Sequence, residues 1–270
     1  MNISFIGGGN MAQALIGGLQ QHHFIMQNIH VIELDECKRK ELQSKFGVQV
    51  SDDLANIAQS DCIMLAVKPQ QLKAVAEAVA PFLKNQCVIS IAAGVRLVDL
   101  SRWLNHYNAI IRSMPNTPAQ IQAGVTALYA MPAVTQEQIK QADNILSAVG
   151  KTTWLDSESK LDAVTAISGS GPAYVFYLIE ALQLAAIELG LNADEAKLLS
   201  LQTFAGASAL AINSTSDVAT LRVQVTSKGG TTEQGLLSLE NSQVKMAVIQ
   251  AAKAAAARSV ELGDLLSRSE

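Results

Sequence analysis

Glycines near the N-terminus have the spacing of a dinucleotide-binding turn. Gly7, Gly9 and Ala12 fit the pattern G-x-G-x-x-A, between an apolar run that ends at Ile6 and a helical pattern that starts near Met11. The first glycine permits a tight strand-to-helix turn, and the second leaves room for a pyrophosphate against bare backbone. The N–H groups that open the helix then face the phosphates. The pattern predicts a site for a nicotinamide-type dinucleotide.

A second stretch with chemical potential lies in the C-terminal half, at residues 225–235. Gly229 and Gly230 free the backbone there, and Thr231 with Gln234 fits a capping box that opens a helix. Backbone N–H groups and hydroxyls at a helix start can bind a small carboxylate. A plain capped turn is the alternative interpretation of the same residues.

Other common catalytic arrangements are missing from the sequence. The pattern G-x-S-x-G does not occur, and no histidine follows His106, which argues against a serine hydrolase. His22 and His23 are adjacent and cannot share a helix face, so no metal site is predicted. The three cysteines form no C-x-x-C pair, and we expect reduced, buried thiols of a cytoplasmic protein. They are Cys37, Cys62 and Cys87.

Length and composition indicate two domains and argue against several partners. The chain has 270 residues, of which 49% are hydrophobic and 16% charged, with a net charge of −4 and no long basic run. Nucleic acid and anionic membrane are therefore not expected as partners. The apolar stretch 172–191 is interrupted by Glu180 and Glu188. We interpret it as a helix of an oligomer that a partner subunit covers, because a central carboxylate disfavours a membrane span.

Strands and helices alternate through the first half of the chain. Strands are predicted at 1–6, 28–33, 48–50, 61–67, 87–91, 109–114 and 124–129, with helices between most of them. This order predicts a doubly wound parallel sheet, whose ligands bind beyond the carboxyl ends of the strands. Those ends are residues 7–11, 33–35, 66–69, 92–94 and 114–118. From about Lys160 the pattern is helical, so we place a dinucleotide-binding domain at 1–158 and a helical dimerisation domain at 159–270.

The sequence resembles the pyrroline-5-carboxylate reductase family over essentially its whole length. The resemblance rests on residues 5–12, 66–69, 90–95, 112–118, 168–174 and 225–232. It implies a Rossmann domain followed by an all-helical domain, whose intertwined homodimer, often assembled further, builds the active site. It also implies the last step of proline synthesis, in which NADPH or NADH reduces the ring C=N bond of 1-pyrroline-5-carboxylate.

The resemblance also implies roles for individual residues. Cofactor binding is expected at Ile6, Gly7, Gly8, Gly9, Asn10, Met11, Glu33, Ala66, Val67, Lys68, Pro69, Ala92, Ala93, Gly94 and Asn116. The substrate is expected at Ser227, Gly230, Thr231 and Thr232. Thr232 is the hydroxyl that we place beside the imine nitrogen, and Lys68 is expected to assist electrostatically or to be a solvated surface lysine.

The choice between the two cofactors stays open at this stage. Glu33 ends the second predicted strand, where an acidic side chain accepts from a ribose 2′-hydroxyl and repels a 2′-phosphate, which favours NADH. Lys38, Arg39 or Lys40 could instead bind that phosphate, and the family resemblance favours NADPH.

One residue departs from the family pattern, because Lys228 stands where the family usually has proline.

Two other functions compete with an imine reductase. A β-hydroxyacid dehydrogenase would need a catalytic lysine in the helical half, for which only Lys197 and Lys228 are candidates. A protein that senses NADP(H) without turnover would not need the loop at 225–232.

Overall fold

A computed structural model describes residues 1–268 of the chain. The chain folds into two compact units. The first contains residues 1–170 and the segment that begins at Ala254, and the second contains Gly171–Lys253. The domain boundary at 158–159 stays a prediction, because compact units and evolutionary domains need not share their boundaries.

The first unit is built on one eight-stranded sheet, whose order is β3-β2-β1-β4-β5-β6-β7-β8. The strands are β1 (Ile3–Ile6), β2 (Ile29–Ile32), β3 (Gln49–Ser51), β4 (Cys62–Leu65), β5 (Cys87–Ser90), β6 (Ile110–Met114), β7 (Gly124–Ala130) and β8 (Gly150–Trp154). Strands β1 to β6 run parallel, as predicted, and the order reverses between β1 and β4. This reversal is the position at which open α/β sheets bind ligands.

Two features of the sheet depart from the prediction. Strand β7 pairs antiparallel with β6, so the sheet is mostly and not wholly parallel. Strand β8, which pairs parallel with β7, was not predicted at all. Its residues alternate between half-buried and exposed positions because it forms an edge of the sheet, so it lacks the continuous apolar run of the central strands.

Burial on both faces explains why the central strands are apolar. Every residue of β1, β4 and β5 is buried. Successive side chains alternate between two core clusters, as in β1, where Phe5 belongs to one cluster and Ile6 to the other. Each cluster is closed by helices that pack on its face of the sheet, so the sheet forms the middle layer of the unit.

Between residues 1 and 268, α-helices separate most of the strands and make up most of the second unit. They are α1 (Asn10–Gln21), α2 (Glu36–Phe46), α3 (Pro69–Val79), α4 (Leu97–Trp103), α5 (Gln136–Ser147), α6 (Lys160–Val164), α7 (Gly171–Glu188), α8 (Ala193–Asn213), α9 (Val218–Gln224), α10 (Thr231–Asn241) and α11 (Val244–Arg268). The Asp35 carboxylate caps α2 by accepting from two backbone N–H groups, and Gly47 ends that helix in the left-handed conformation.

The stretch 168–172 contains the start of α7, which begins at Gly171 and has Pro172 in its first turn. A π-helical turn at Thr165–Gly169 joins α6 to α7, with Ser170 between them, so the helical path runs nearly unbroken from Lys160 to Glu188. This segment is long and apolar enough, by length and composition alone, to cross a membrane. That finding is weak by itself, because core helices of globular assemblies have the same composition.

Helix α7 leaves large apolar side chains uncovered in the single chain. Phe176 is 65% exposed, and Leu184 is 58% exposed. Helices α8 and α10 expose further leucines and isoleucines. Exposed apolar side chains in this number are typical of a protein interface.

Candidate active site

A cavity of about 440 Å³ opens at the carboxyl ends of β1, β2 and β4, all within the first unit. Its walls come from the glycine turn, the residues after β2 and β4, and one face of α3. Of the predicted cofactor residues, it brings together Ile6, Gly7, Gly8, Gly9, Glu33, Ala66, Val67 and Lys68. These residues therefore share one cleft, and their contacts with a cofactor stay a prediction.

The glycine turn has the geometry that a pyrophosphate requires. Gly7 has φ +96°, and a Cβ atom there would lie 2.8 Å from the carbonyl oxygen of Ala66, so only glycine fits. A Cβ atom on Gly9 would meet nothing within 4 Å, which leaves open space over the backbone. Gly9 precedes α1, and no side chain caps the N–H groups of its first turn. Those N–H groups are thus available to an anion, and the residues present fit a dinucleotide.

The acidic residue after β2 is held in a fixed position. The two carboxylate oxygens of Glu33 accept from the backbone N–H groups of Gly8, at 3.0 Å, and of Asp35, at 3.1 Å. The first of these contacts ties the carboxylate directly to the glycine turn. Glu33 is therefore oriented before any ligand binds, at the place where a ribose 2′-oxygen is expected.

Only one residue of the basic cluster that follows Glu33 lines the cavity. Arg39 donates to the carbonyl oxygens of Glu33, at 2.7 Å, and Leu34, at 2.9 Å, and pairs with Asp52. Lys40 pairs with Glu36 on the exposed face of α2. Lys38 is exposed and lines the cavity, so it is the cation of this cluster best placed to meet a 2′-phosphate.

The remaining predicted cofactor residues lie outside the wall of this cavity. Asn10 is the first residue of α1, Pro69 is the first residue of α3, and Met11 packs against one core cluster. Ala92, Ala93 and Gly94 follow β5 on the same edge of the sheet. The buried Asn116 side chain accepts from the N–H group of Val125 at 2.9 Å, which gives it a structural contact in addition to the predicted role.

Sequence reasoning missed several residues of the cavity. They are Ile32, Asp52, Leu54, Gln71, Ala74, Val75 and Ala78, whereas Leu34 belongs to the predicted strand end 33–35. Asp52 and Leu54 follow β3, so the rule that ligands bind at strand ends could have found them. Gln71, Ala74 and Ala78 lie on one face of α3, and the sequence gives no sign that this face borders a cleft.

The predicted substrate residues lie in the second unit, at the start of α10. Ser227, Thr231 and Thr232 are exposed, and Gly229 has φ +73°. The predicted capping box of Thr231 and Gln234 is wrong. Gly230 is the N-cap residue, no side chain caps the helix, and the carboxylate of Glu233 instead accepts from the N–H group of Gly229 at 2.7 Å. The N–H groups of the first turn therefore stay available to an anion.

The cysteines differ from the prediction in one respect. Cys62 and Cys87 are buried, free and directly opposite each other on β4 and β5, whereas Cys37 is exposed on α2. The hydrogen bond with Cys87, together with burial, raises the pKa of the Cys62 thiol well above its usual value. The buried pair is therefore unreactive, and Cys37 was wrongly expected to be buried because helix α2 carries few apolar residues to mark its inner face.

The fold and the glycine turn define a Rossmann-type dinucleotide-binding protein, and comparison with known proteins places it further. Residues 158–262 match the family described as pyrroline-5-carboxylate reductase dimerisation, and residues 2–94 match the family described as NADP oxidoreductase, coenzyme F420-dependent. The pyrroline-5-carboxylate reductase of Pseudomonas aeruginosa is 43% identical over 268 residues, which cover 98% of each chain.

Solved structures give the same result. A pyrroline-5-carboxylate reductase from Coxiella burnetii superposes with a TM-score of 0.91 at 40% identity, covering 97% of this chain and 98% of that one. A Plasmodium falciparum pyrroline carboxylate reductase, solved with NADP bound, has a TM-score of 0.87 at 29% identity, with coverages of 97% and 98%. The chain belongs to the pyrroline-5-carboxylate reductase family, as the sequence resemblance implied.

Proposed function

We propose that this protein reduces 1-pyrroline-5-carboxylate to L-proline with a nicotinamide cofactor, the last step of proline synthesis. The observation that carries the proposal is the match to a pyrroline-5-carboxylate reductase over 98% of both chains, which includes the helical half as well as the cofactor half. A related reductase was solved with NADP bound, so NADPH is the favoured cofactor, and NADH is an alternative that Glu33 supports.

The proposed chemistry requires orientation more than acid–base groups. When bound, the cofactor supplies a hydride to the imine carbon, and the ring nitrogen takes up a proton, so the C=N bond becomes CH–NH. The glycine turn and the first turn of α1 would hold the pyrophosphate, with Lys68 at the rim of the same cavity. Most of the rate acceleration would come from holding the two reactants face to face.

The loop before α10 is the proposed substrate site. The open first turn of that helix, with Ser227, Gly230, Thr231 and Thr232, would bind the substrate carboxylate and ring. The Thr232 hydroxyl would lie beside the imine nitrogen and hold or relay the proton. Lys228, which is exposed here, would add positive charge near the carboxylate.

We further propose that the working form is a homodimer or a higher homo-oligomer in the cytoplasm. The exposed apolar residues of α7 and α8 lie within the stretch that matches a dimerisation family, so a second copy is the natural cover for them. The free, adjacent thiols of Cys62 and Cys87 agree with a reducing compartment.

Replacing one hydroxyl tests the placement of the substrate. We expect Thr232→Ala to lower kcat/KM for 1-pyrroline-5-carboxylate by on the order of a hundredfold, since a positioned proton-transfer group contributes about that much. Affinity for NADPH, measured by titration of its fluorescence, should not change. The matched control is Thr220→Ala on α9, an exposed threonine outside the proposed site. Unchanged turnover in Thr232→Ala would show that the substrate binds elsewhere.

A further inference from the structure

The last turns of α11 hold the loop that follows β5. Arg96, at the end of this loop, donates from Nη2 to Oδ1 of Asp264 at 2.6 Å. One turn of α11 also approaches the loop directly through a glycine. A Cβ atom on Gly263 would lie 2.9 Å from the carbonyl oxygen of Gly94 and 3.3 Å from Nε of Arg96. Any side chain at position 263 would therefore displace the loop.

The loop after β5 also contributes a glycine to its contact with α11. Gly94 has φ +77°, a conformation that favours glycine, and a Cβ atom there would lie 3.4 Å from the Cβ atom of Leu262. Two glycines thus let the backbones of the loop and of α11 meet without intervening side chains. A shift of the helix end by a few tenths of an ångström would be transmitted directly to the Gly94 carbonyl.

A buried charge network fixes the base of the same loop. Arg112 of β6 is 4% exposed and donates to Oε1 of Glu158 at 2.9 Å. The same Glu158 oxygen accepts from the N–H group of Leu97, the first residue of α4, at 2.8 Å. The shared Glu158 oxygen therefore links β6 to the start of α4. The loop between β5 and α4 is consequently anchored at its C-terminal end.

The network also reaches α11. Asp162 lies 3.9 Å from Nη2 of Arg112 and accepts from the hydroxyl of the buried Ser259 at 2.6 Å. Ser259 precedes Gly263 by one helical turn. The helix end is therefore attached both to the network below the loop and to the loop itself.

The position of this loop gives the contact a functional meaning. Strand β5 lies beside β4 and runs parallel to it, so the loop opens at the same edge of the sheet as the glycine turn. In open α/β sheets that edge binds the ligand. The residues expected to line the path of the cofactor, Ala92 to Gly94, belong to the loop that α11 contacts.

We propose that Gly94, Arg96, Gly263 and Asp264 form a clasp that positions the Ala92–Gly94 loop for cofactor binding. The four residues of the clasp are positioning residues, because they act through the loop and not on the reacting atoms. The proposal rests on the proposed function for its cofactor, but it makes a separate statement: the C-terminal end of α11 sets the affinity of the cofactor site.

The first test adds a single methyl group to the clasp. Gly263→Ala should raise the Kd and KM for NADPH by about tenfold, because small misplacements of a binding element carry penalties of that order or larger. The KM for 1-pyrroline-5-carboxylate and the melting temperature should change little. Gly17→Ala is the matched control, since a Cβ atom on that helical glycine would meet Phe46 at an ordinary 3.5 Å. An unchanged Kd for NADPH in Gly263→Ala would overturn the proposal.

The second test removes the ion pair and leaves the glycine contact in place. Asp264→Ala should weaken NADPH binding in the same direction, whereas Glu261→Ala, which removes an ion pair internal to α11, should not. An equal rise in the KM values for NADPH and for 1-pyrroline-5-carboxylate would show a purely structural role and refute the clasp. A lower melting temperature with unchanged NADPH affinity would refute it as well. NADPH binding is measured without substrate, so a wild-type protein that binds NADPH but does not reduce the imine would refute the proposed function and leave this test intact.

Discussion

Removing the charge of Glu33 should shift the cofactor preference toward NADPH. The carboxylate is tied to the N–H groups of Gly8 and Asp35, so it can move away from a 2′-phosphate only by losing both hydrogen bonds. Glu33→Gln keeps an oxygen that can accept from Gly8 and removes the negative charge, but it loses the hydrogen bond from Asp35, because an amide nitrogen cannot accept. The substitution therefore tests the loss of charge together with the loss of one hydrogen bond.

The size of the effect follows from the exposure of the site. Two unit charges about 4 Å apart repel by about 1 kcal/mol in water and about 4 kcal/mol at an effective dielectric constant of about 20. Glu33 is half-buried at the edge of an open cavity, so the lower part of this range applies. We expect the repulsion removed in Glu33→Gln to be about 1.4 kcal/mol. This corresponds to a rise of about tenfold in the ratio of kcat/KM for NADPH to kcat/KM for NADH.

The assay is the ratio of kcat/KM for NADPH to kcat/KM for NADH, measured at fixed ionic strength. Lys38→Gln should move this ratio in the opposite direction, because Lys38 lines the same cavity. Glu36→Gln is the matched control: its carboxylate pairs with Lys40 on the exposed face of α2. A ratio that stays constant in Glu33→Gln, or that falls, would refute the assignment of Glu33 to the ribose end of the cofactor.

Two further predictions concern the thiols and the pH dependence of stability. A thiol reagent should modify Cys37 rapidly in the native protein and reach Cys62 and Cys87 only on unfolding, since the latter two are buried; rapid modification of all three would contradict the described packing. Burial lowers the pKa of His30, against an opposing effect of Asp53. The unfolded chain therefore takes up a proton more readily, and His30 should reduce stability progressively as the pH falls below about 6.5. The fall in melting temperature on acidification should be smaller in His30→Gln, and an equal fall in both proteins would exclude this cause.

The sequence predicted best those elements whose environment is uniform. Strands β1, β4 and β5 are buried on both faces, so their continuous apolar runs were unambiguous. Strand β8 at the edge of the sheet has no such run. Its Thr152 and Trp154 side chains both donate to Asp143 of α5, a tertiary contact that no local pattern reveals.

The candidate site was predictable in position but not in its side-chain pairing. The rule that ligands bind at strand ends located the cavity, and the glycine spacing located the turn in its wall. The sequence does not reveal which residue of the cluster at 38–40 faces the cavity. Arg39 donates to the backbone carbonyl oxygens of Glu33 and Leu34, and acceptors on the backbone leave no mark in the sequence. The capping box of α10 was mispredicted for a similar reason. The Glu233 carboxylate, and not Thr231 or Gln234, accepts from a backbone N–H group before the helix, that of Gly229.

The most direct test of the proposed activity is to add 1-pyrroline-5-carboxylate to the protein with NADPH or NADH and to measure both nicotinamide oxidation and proline. We predict rapid loss of reduced-nicotinamide absorbance and the formation of an equimolar amount of L-proline. Binding of either cofactor without oxidation, or oxidation without proline, would contradict the assignment of this chain as an imine reductase.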